Sequence, residues 1–327
     1  MEFRLDDEQR GLQGTVRRFC ATRFPLERIA QRESPELDRS VWRELAELGA
    51  FGLLVPEADG GLGLGAIEAA IVCEQLAEHL ARGPVLWSML AARYAAGVAS
   101  GARVAGGVEC GNSDDDPILV EHAGDLDALV ILRSDGVYWC ERADLPPFHA
   151  LSPLDPLTPI GRCAALPRGE RVGDASEASN LRRMGTVLSA AMLLGVSSAA
   201  LESARRFALE REQFGVPIGS FQAVQHLLAD MYVRTALARS ATHAAAAVLD
   251  DPVIGDPLRA SAGAKLLAGE AALENARAAI QLHGGIGFTW EMLPNYLLKR
   301  AWVLENAFGN RDAHAFAISA AIEEALT

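Results

Sequence analysis

The sequence predicts a mainly α-helical protein with a small β segment in its middle third. Three observations predict it. Ala-rich stretches at both ends carry apolar residues at three- and four-residue spacing. Aromatic residues make up only 6% of the chain, which favours helices over sheets. From about residue 101 to 177, short β-like runs alternate with turn residues. With 327 residues, half of them hydrophobic, the chain has ample core volume for two or three domains. We place the divisions at 1–100, 101–177 and 178–327.

In the first segment, Asp6 and Asp7 are positioned to cap a helix whose apolar face carries Leu12, Val16, Phe19 and Cys20. A second helix is predicted from Ser40 to Leu48, on Val41, Leu45 and Leu48. The stretch FGLLVPEADGGLGLG breaks at Pro56 and turns through Gly60, Gly61, Gly63 and Gly65 before a long apolar helix from Ala66 to Leu80. It has neither GxGxxG spacing after a strand nor a GK[ST] ending, so it reads as a turn and not as a phosphate loop.

In the middle segment, strands are expected at Pro117–Glu121, Ala128–Leu132 and Gly136–Cys140, within a sheet of at most six. Asn112-Ser113, Ser134-Asp135-Gly136 and Pro146-Pro147 mark turns. Asp114-Asp115-Asp116 lacks the spaced oxygens and distant Glu of a calcium loop and reads as a solvated loop.

Four long helices are expected beyond. One covers 180–209, and a second runs from Phe221 to Leu249 with Ser220 as its cap. A third opens at Asp256-Pro257, an N-cap with Pro at N1, and closes at Gly284-Gly285, and the last starts near Arg311. Small residues such as Ala244–Ala247 permit the close approach of a bundle.

Charge narrows the function classes. Lys plus Arg total 30 against 43 Asp plus Glu, a net −13, which opposes general nucleic-acid binding and anionic membrane surfaces. An anionic ligand stays open, because one local Arg outweighs a distant net charge. Only Lys265 and Lys299 are lysines; this Arg and Ala bias fits a GC-rich bacterial genome. Five scattered cysteines without a CxxC pair fit a reduced, cytoplasmic protein with no metal site. The opening MEFRLDDEQR carries no leader pattern, and no uninterrupted apolar run reaches the ~18–20 residues of a membrane span.

Two segments carry the chemistry: RFALEREQFGVPIGSFQAVQHLLADMYVR (206–234) and IQLHGGIGFTWEMLPNYLLKRA (280–301). Together with LAELGAFGLLVPEADGGLGL (45–64), they resemble the acyl-CoA dehydrogenase family, over nearly the whole chain. The resemblance implies an N-terminal α domain, a middle β-barrel-like domain, a C-terminal four-helix bundle and FAD as cofactor. It implies α,β-dehydrogenation of an acyl-CoA thioester, with electron-transfer flavoprotein as electron acceptor. A carboxylate removes the α-proton while hydride leaves the β-carbon. It also implies that Arg211 pairs with the FAD pyrophosphate of a neighbouring subunit, since a guanidinium binds phosphate in a fixed bidentate fork. Phe214 would pack by the flavin or its adenosine, and Gln222 would hydrogen-bond the cofactor. Gln281 to Gly285 would form a second contact, where Gly284 and Gly285 let backbone N–H groups approach. Singly, these residues also read as a surface Arg, a core Phe and a helix-ending glycine pair; their joint spacing favours the cofactor.

The chain departs from the family at the base. Ala307-Phe308-Gly309-Asn310 falls on the family's Y-E-G-T, so the base position is Phe308. The position used by another branch of the family is Gly185, flanked by Met184 and Thr186. Glu305, one turn before Phe308, is the remaining candidate, and pairing with Arg300 is its ordinary reading. The family's T-E-P-G loop corresponds to Val108-Glu109-Cys110-Gly111, its W-I-T strand has no counterpart, and the middle domain is shortened. These features resemble the shorter, base-lacking subunit of actinobacterial α2β2 acyl-CoA dehydrogenases of steroid side-chain degradation, whose longer paralogue supplies the base. Three other readings stay open: a self-sufficient homotetramer using Glu305, another flavin activity on the same fold, and a structural subunit that binds no FAD.

Overall fold

A computed structural model describes residues 5–31, 36–110 and 117–326. The Asn112-Ser113 turn, the Asp114–Asp116 run and Gly111 lie outside the described residues. Helices α1 (Asp7–Arg23), α2 (Arg39–Glu47), α3 (Ala66–Glu78) and α4 (Val85–Ala91) come first. Strands β1 (Ala105–Glu109), β2 (Ile118–Glu121), β3 (Ala128–Arg133), β4 (Gly136–Glu141), β5 (His149–Leu151), β6 (Ile160–Cys163) and β7 (Glu170–Gly173) follow. Then come α5 (Ala175–Glu210), the ribbon β8 (Glu212–Gln213) and β9 (Val216–Pro217), α6 (Gln222–Asp250), α7 (Pro257–His283), α8 (Leu293–Asn306) and α9 (Arg311–Leu326). Two compact units result, Ser34–Ala69 with Arg82–Gly185, and Met1–Glu33 with Ala70–Ala81 and Thr186–Thr327.

The strand-bearing unit holds a four-stranded sheet, order β1-β3-β4-β7, and a three-stranded antiparallel sheet, order β2-β6-β5. In the first, β1 and β3 run parallel, and the other pairs are antiparallel. β3 and β4 are buried along nearly their whole length, so they show as continuous apolar runs. Seven strands, not at most six, occupy this segment among the described residues. The weaker ones lack the pattern for physical reasons. β1 reads AGGVE because a Cβ at Gly107 would lie 2.0 Å from the Trp87 ring of α4, and the Ser88 hydroxyl donates to the Ala105 carbonyl at 2.7 Å. β5 is fully exposed and carries no alternation. Asp38 caps α2 by accepting from the backbone N–H groups of Ser40 and Val41.

The other unit is the bundle. α5 starts at Ala175, earlier than the apolar pattern suggests, and α8 adds a fifth long helix to the four expected. Ser220 is not the cap of α6. Phe221 takes that place with no side-chain cap bond, and the Ser220 hydroxyl donates back to the Pro217 carbonyl at 2.7 Å. Asp256 does cap α7, accepting from the N–H groups of Leu258 and Arg259 with Pro257 at the first helical position. α6 and α7 form an antiparallel hairpin pinned by buried Asn275, whose amide donates to the Met231 carbonyl, Thr235 Oγ1 and Ser197 Oγ at 3.0, 2.9 and 2.9 Å. At Gly195 a Cβ would come within 2.2 Å of the Glu74 carbonyl, so only glycine lets α5 lie this close to α3.

Part of α5 is long and apolar enough to cross a membrane, but 83% of that stretch is buried, as in a core helix. The five thiols are free. Burial pushes Cys20 and Cys73 up to about 12, the state of inert core thiols. No cluster of metal-ligating side chains exists among the described residues.

Candidate functional site

The hairpin geometry sets where the two sequence segments meet. Asn275 of α7 lies against Met231 and Thr235 of α6, and the helices run antiparallel. Moving nine residues along each, 231 to 222 and 275 to 284, brings the start of α6 beside the end of α7 at the same rise per residue. The end of α5 joins them, because the Phe207 ring stacks on His283 with centroids 4.0 Å apart. Arg211, Phe214, Gln222, Gln281, Gly284 and Gly285 are thus gathered at one end of the bundle, and all of them are exposed. His283 anchors that end. Its Nδ1 lies 2.7 Å from the Ala279 carbonyl, which can only accept, so Nδ1 carries a proton. Burial, ahead of the Arg206 charge, holds the imidazole below its ordinary pKa and favours the neutral ring.

Several features at this end are unexplained by the chain's own packing. Phe214 and Gly215 form the two-residue loop of the β8–β9 ribbon, with φ of +54° and +80°, the signs of a type I′ turn. A phenylalanine is a strained choice there, and its side chain is 93% exposed. The Arg211 main chain is fixed, its N–H donating to the Phe207 carbonyl and its carbonyl accepting from the Ile218 N–H. Among the described residues nothing pairs with its guanidinium, whereas Arg205 and Arg206 pair with Glu202 and Glu27. The α7 helix ends at Gly284 with φ 66° and ψ −148°, a region open essentially to glycine alone and not the left-handed helical turn expected of a Gly-Gly cap. Gly285 needs no such freedom, and a Cβ there would meet no atom within 4 Å. Its small size leaves space for something outside the chain. A positive, uncapped helix start, a free guanidinium and backbone open at two glycines suit a diphosphate carried on an aromatic cofactor.

Comparison with known proteins identifies the family. The model described as acyl-CoA dehydrogenase, C-terminal domain, matches residues 176–322, and the N-terminal domain model matches 6–99. The acyl-CoA dehydrogenase IpdE2 of Mycobacterium tuberculosis is 33% identical over 282 residues, 84% of each chain. The chain belongs to the acyl-CoA dehydrogenase family. IpdE2 of Mycolicibacterium smegmatis is 29% identical over 91% of this chain and 93% of its own. Among solved structures, a chain of the ChsE4-ChsE5 complex from M. tuberculosis superposes with a TM-score of 0.85 at 26% identity, covering 99% of both chains. This acyl-CoA dehydrogenase chain is therefore of an oxidoreductase family whose cofactor is FAD, and the exposed end of its bundle fits that group.

The positions that the resemblance gives for the base are built differently. Phe308 is 6% exposed and sits at φ +55°. The His314 Nε2 lies 2.9 Å from its carbonyl, and the Thr186 hydroxyl donates to the same carbonyl at 3.5 Å. Beside it the Lys265 ammonium, 2% exposed, donates to Ser189 Oγ at 2.9 Å, to the Leu304 carbonyl at 2.8 Å and to the Ala307 carbonyl. These are carbonyls at the negative end of α8. Gly185 is buried within α5. Glu305 accepts from the Arg311 N–H at 2.7 Å and so caps α9, whereas the Arg300 guanidinium donates to the Ala81 carbonyl at 3.2 Å. Lys265 escaped the sequence reading, although a lone Lys within SAGAKLLAGEAA was its available signal.

Proposed function

We propose that this chain is the base-lacking subunit of a heteromeric, FAD-dependent acyl-CoA dehydrogenase, completing the FAD site of a longer paralogue in an α2β2 tetramer. The observation that carries this reading is a contrast within one bundle. Arg211, Phe214, Gln222, Gln281, Gly284 and Gly285 are exposed, while the base position holds buried Phe308. Similarity across 99% of both chains to a member of a two-component complex supports the paired assembly.

FAD, when bound, accepts the hydride that leaves the β-carbon of the acyl-CoA substrate. Arg211 would hold its phosphates, Phe214 would pack by the flavin or its adenosine, and Gln222 and Gln281 would hydrogen-bond the group. Gly284 and Gly285 allow the main chain to approach it. Phe308 takes no proton and Gly185 has no side chain, so the α-proton passes to a carboxylate of the partner. The substrate class is an acyl-CoA thioester. Resemblance to the heterotetrameric branch points within it to steroid side-chain CoA esters, with electron-transfer flavoprotein as acceptor. The division into domains at residues 100 and 177 and a reduced, cytoplasmic setting belong to the same reading.

A self-sufficient enzyme using Glu305 is disfavoured, because that carboxylate is committed to the start of α9; it requires Glu305→Gln to abolish turnover. The assembled complex tests the proposal. Arg211→Ala should strip FAD from it, read as the flavin-to-protein absorbance ratio, with the elution volume unchanged. Full flavin retention would contradict the assigned role.

A further inference from the structure

A pocket of about 260 Å³ opens where the end of α5, the end of α7 and the start of α8 meet the segment around Leu26 and Ile29. It lies wholly within the bundle unit. Glu27, Glu210 and Glu291 stand on its lining with one cation, Arg206, which is already matched to Glu27 at 3.5 Å. Among the described residues Glu210 and Glu291 have no salt-bridge partner. Three carboxylates against one guanidinium leave the lining net negative. That is the wrong sign for the diphosphate assigned to Arg211, so the pocket suits a different ligand.

Two polar side chains of the lining are more than nine-tenths buried, Ser203 at 6% exposure and His283 at 7%. The His283 Nδ1 proton is committed to the Ala279 carbonyl at 2.7 Å, so Nε2 of the neutral ring presents a lone pair. Among the described residues neither Nε2 nor the Ser203 hydroxyl has a hydrogen-bond partner. Yet neither atom is sealed, in contrast to Thr242 Oγ1, which has no partner and essentially no accessible surface. Ser203 and Phe207 stand one turn apart on α5, and the Phe207 ring stacks on His283, so hydroxyl and imidazole are neighbours in the lining. Buried polar groups are partnered as a rule, and an open one without a mate in the chain points to a mate within the pocket.

That mate is a donor. The imidazole Nε2 and the carboxylates only accept, and the Ser203 hydroxyl accepts as well. A guanidinium matches this set: it is planar, carries N–H donors on every edge and no acceptor, stays charged, and is more weakly hydrated than an ammonium. Phe207, Met292 and Pro294 offer apolar wall to an aliphatic stem. We propose that this pocket binds a guanidinium group on a short aliphatic stem, its N–H groups donated to His283 Nε2 and Ser203 Oγ and its charge met by Glu210 and Glu291. Such a group is carried by a small guanidinium compound or by an Arg side chain of another polypeptide, and the two sources are distinguishable.

Butylguanidinium is the probe, and butyrate is the control. Calorimetric titration of the full-length chain should show saturable butylguanidinium binding and none for butyrate. His283→Phe, which keeps a ring against Phe207 and removes the lone pair, should weaken binding by about tenfold or more. Glu291→Gln, a change at an exposed position, should weaken it as well and stands in if the first variant fails to fold. Binding that persists in the complex with the paralogue assigns the site to a free compound; binding present in the lone chain and lost on assembly assigns it to an Arg side chain of the partner. No butylguanidinium binding means that water alone fills the pocket and overturns the proposal, as does equal binding of butyrate or binding unchanged in either folded variant. The readout is independent of flavin, so its failure leaves the subunit assignment standing, and the converse also holds.

Discussion

At the scale of single residues, Phe214 and Phe308 share a backbone conformation and differ in every other respect. Both are bulky residues in left-handed geometry, at φ +54° and +55°, one almost wholly exposed and the other buried. Left-handed geometry costs a non-glycine residue about 1 kcal/mol, which Asn largely escapes. Phe214→Asn should therefore raise the stability of the lone chain by about 1 kcal/mol in urea unfolding, yet lower flavin occupancy of the complex. A variant that is more stable and keeps full flavin would mean that the ring serves the fold and not the cofactor. The sequence singled out Phe214 through the spacing of its motif, and Phe308 as the residue that falls on the family's base position. It did not show that either was strained, because φ depends on the loop each one closes.

At the scale of elements, the turn after α8 depends on groups from three helices: Lys265 of α7, Thr186 of α5 and His314 of α9 converge on the carbonyls of residues 304 to 308. Burial first, then the nearby Lys265 charge, holds the His314 pKa below its ordinary 6.5. The unfolded chain therefore takes up this proton before the folded chain does. Stability from this group is complete above pH 6.5 and is lost as pH falls through 6.5 toward the lowered folded value. Urea midpoints measured between pH 7.5 and 5 should fall, and His314→Gln should flatten that fall; equal slopes would contradict it. Helix positions were largely legible, because capping residues such as Asp6 and Asp256 and the apolar spacing act locally. Ser220 misled because its hydroxyl finds the Pro217 carbonyl before any helical N–H. The strands β1, β5, β6 and β7 were illegible because their identity comes from the partners they pair with: β1 through Trp87 against Gly107, and β7 through β4.

At the scale of the whole molecule, the proposed reading has the chain supply contacts to a cofactor and leave the acceptance of the α-proton to a partner. Family membership rests on long motifs, so it was legible in the sequence itself. The proposed dependence on a partner shows in the sequence only as a pattern of residues kept and residues departing from the family, because a partner's side chains would lie on another polypeptide. The most direct test purifies the chain alone and after co-expression with its longer paralogue, and measures bound FAD and acyl-CoA dehydrogenation in each. The account predicts little flavin and no turnover in the lone chain, with both present in the pair and turnover retained when Glu305 is replaced by Gln. Full flavin occupancy with dehydrogenase activity in the lone chain would contradict it.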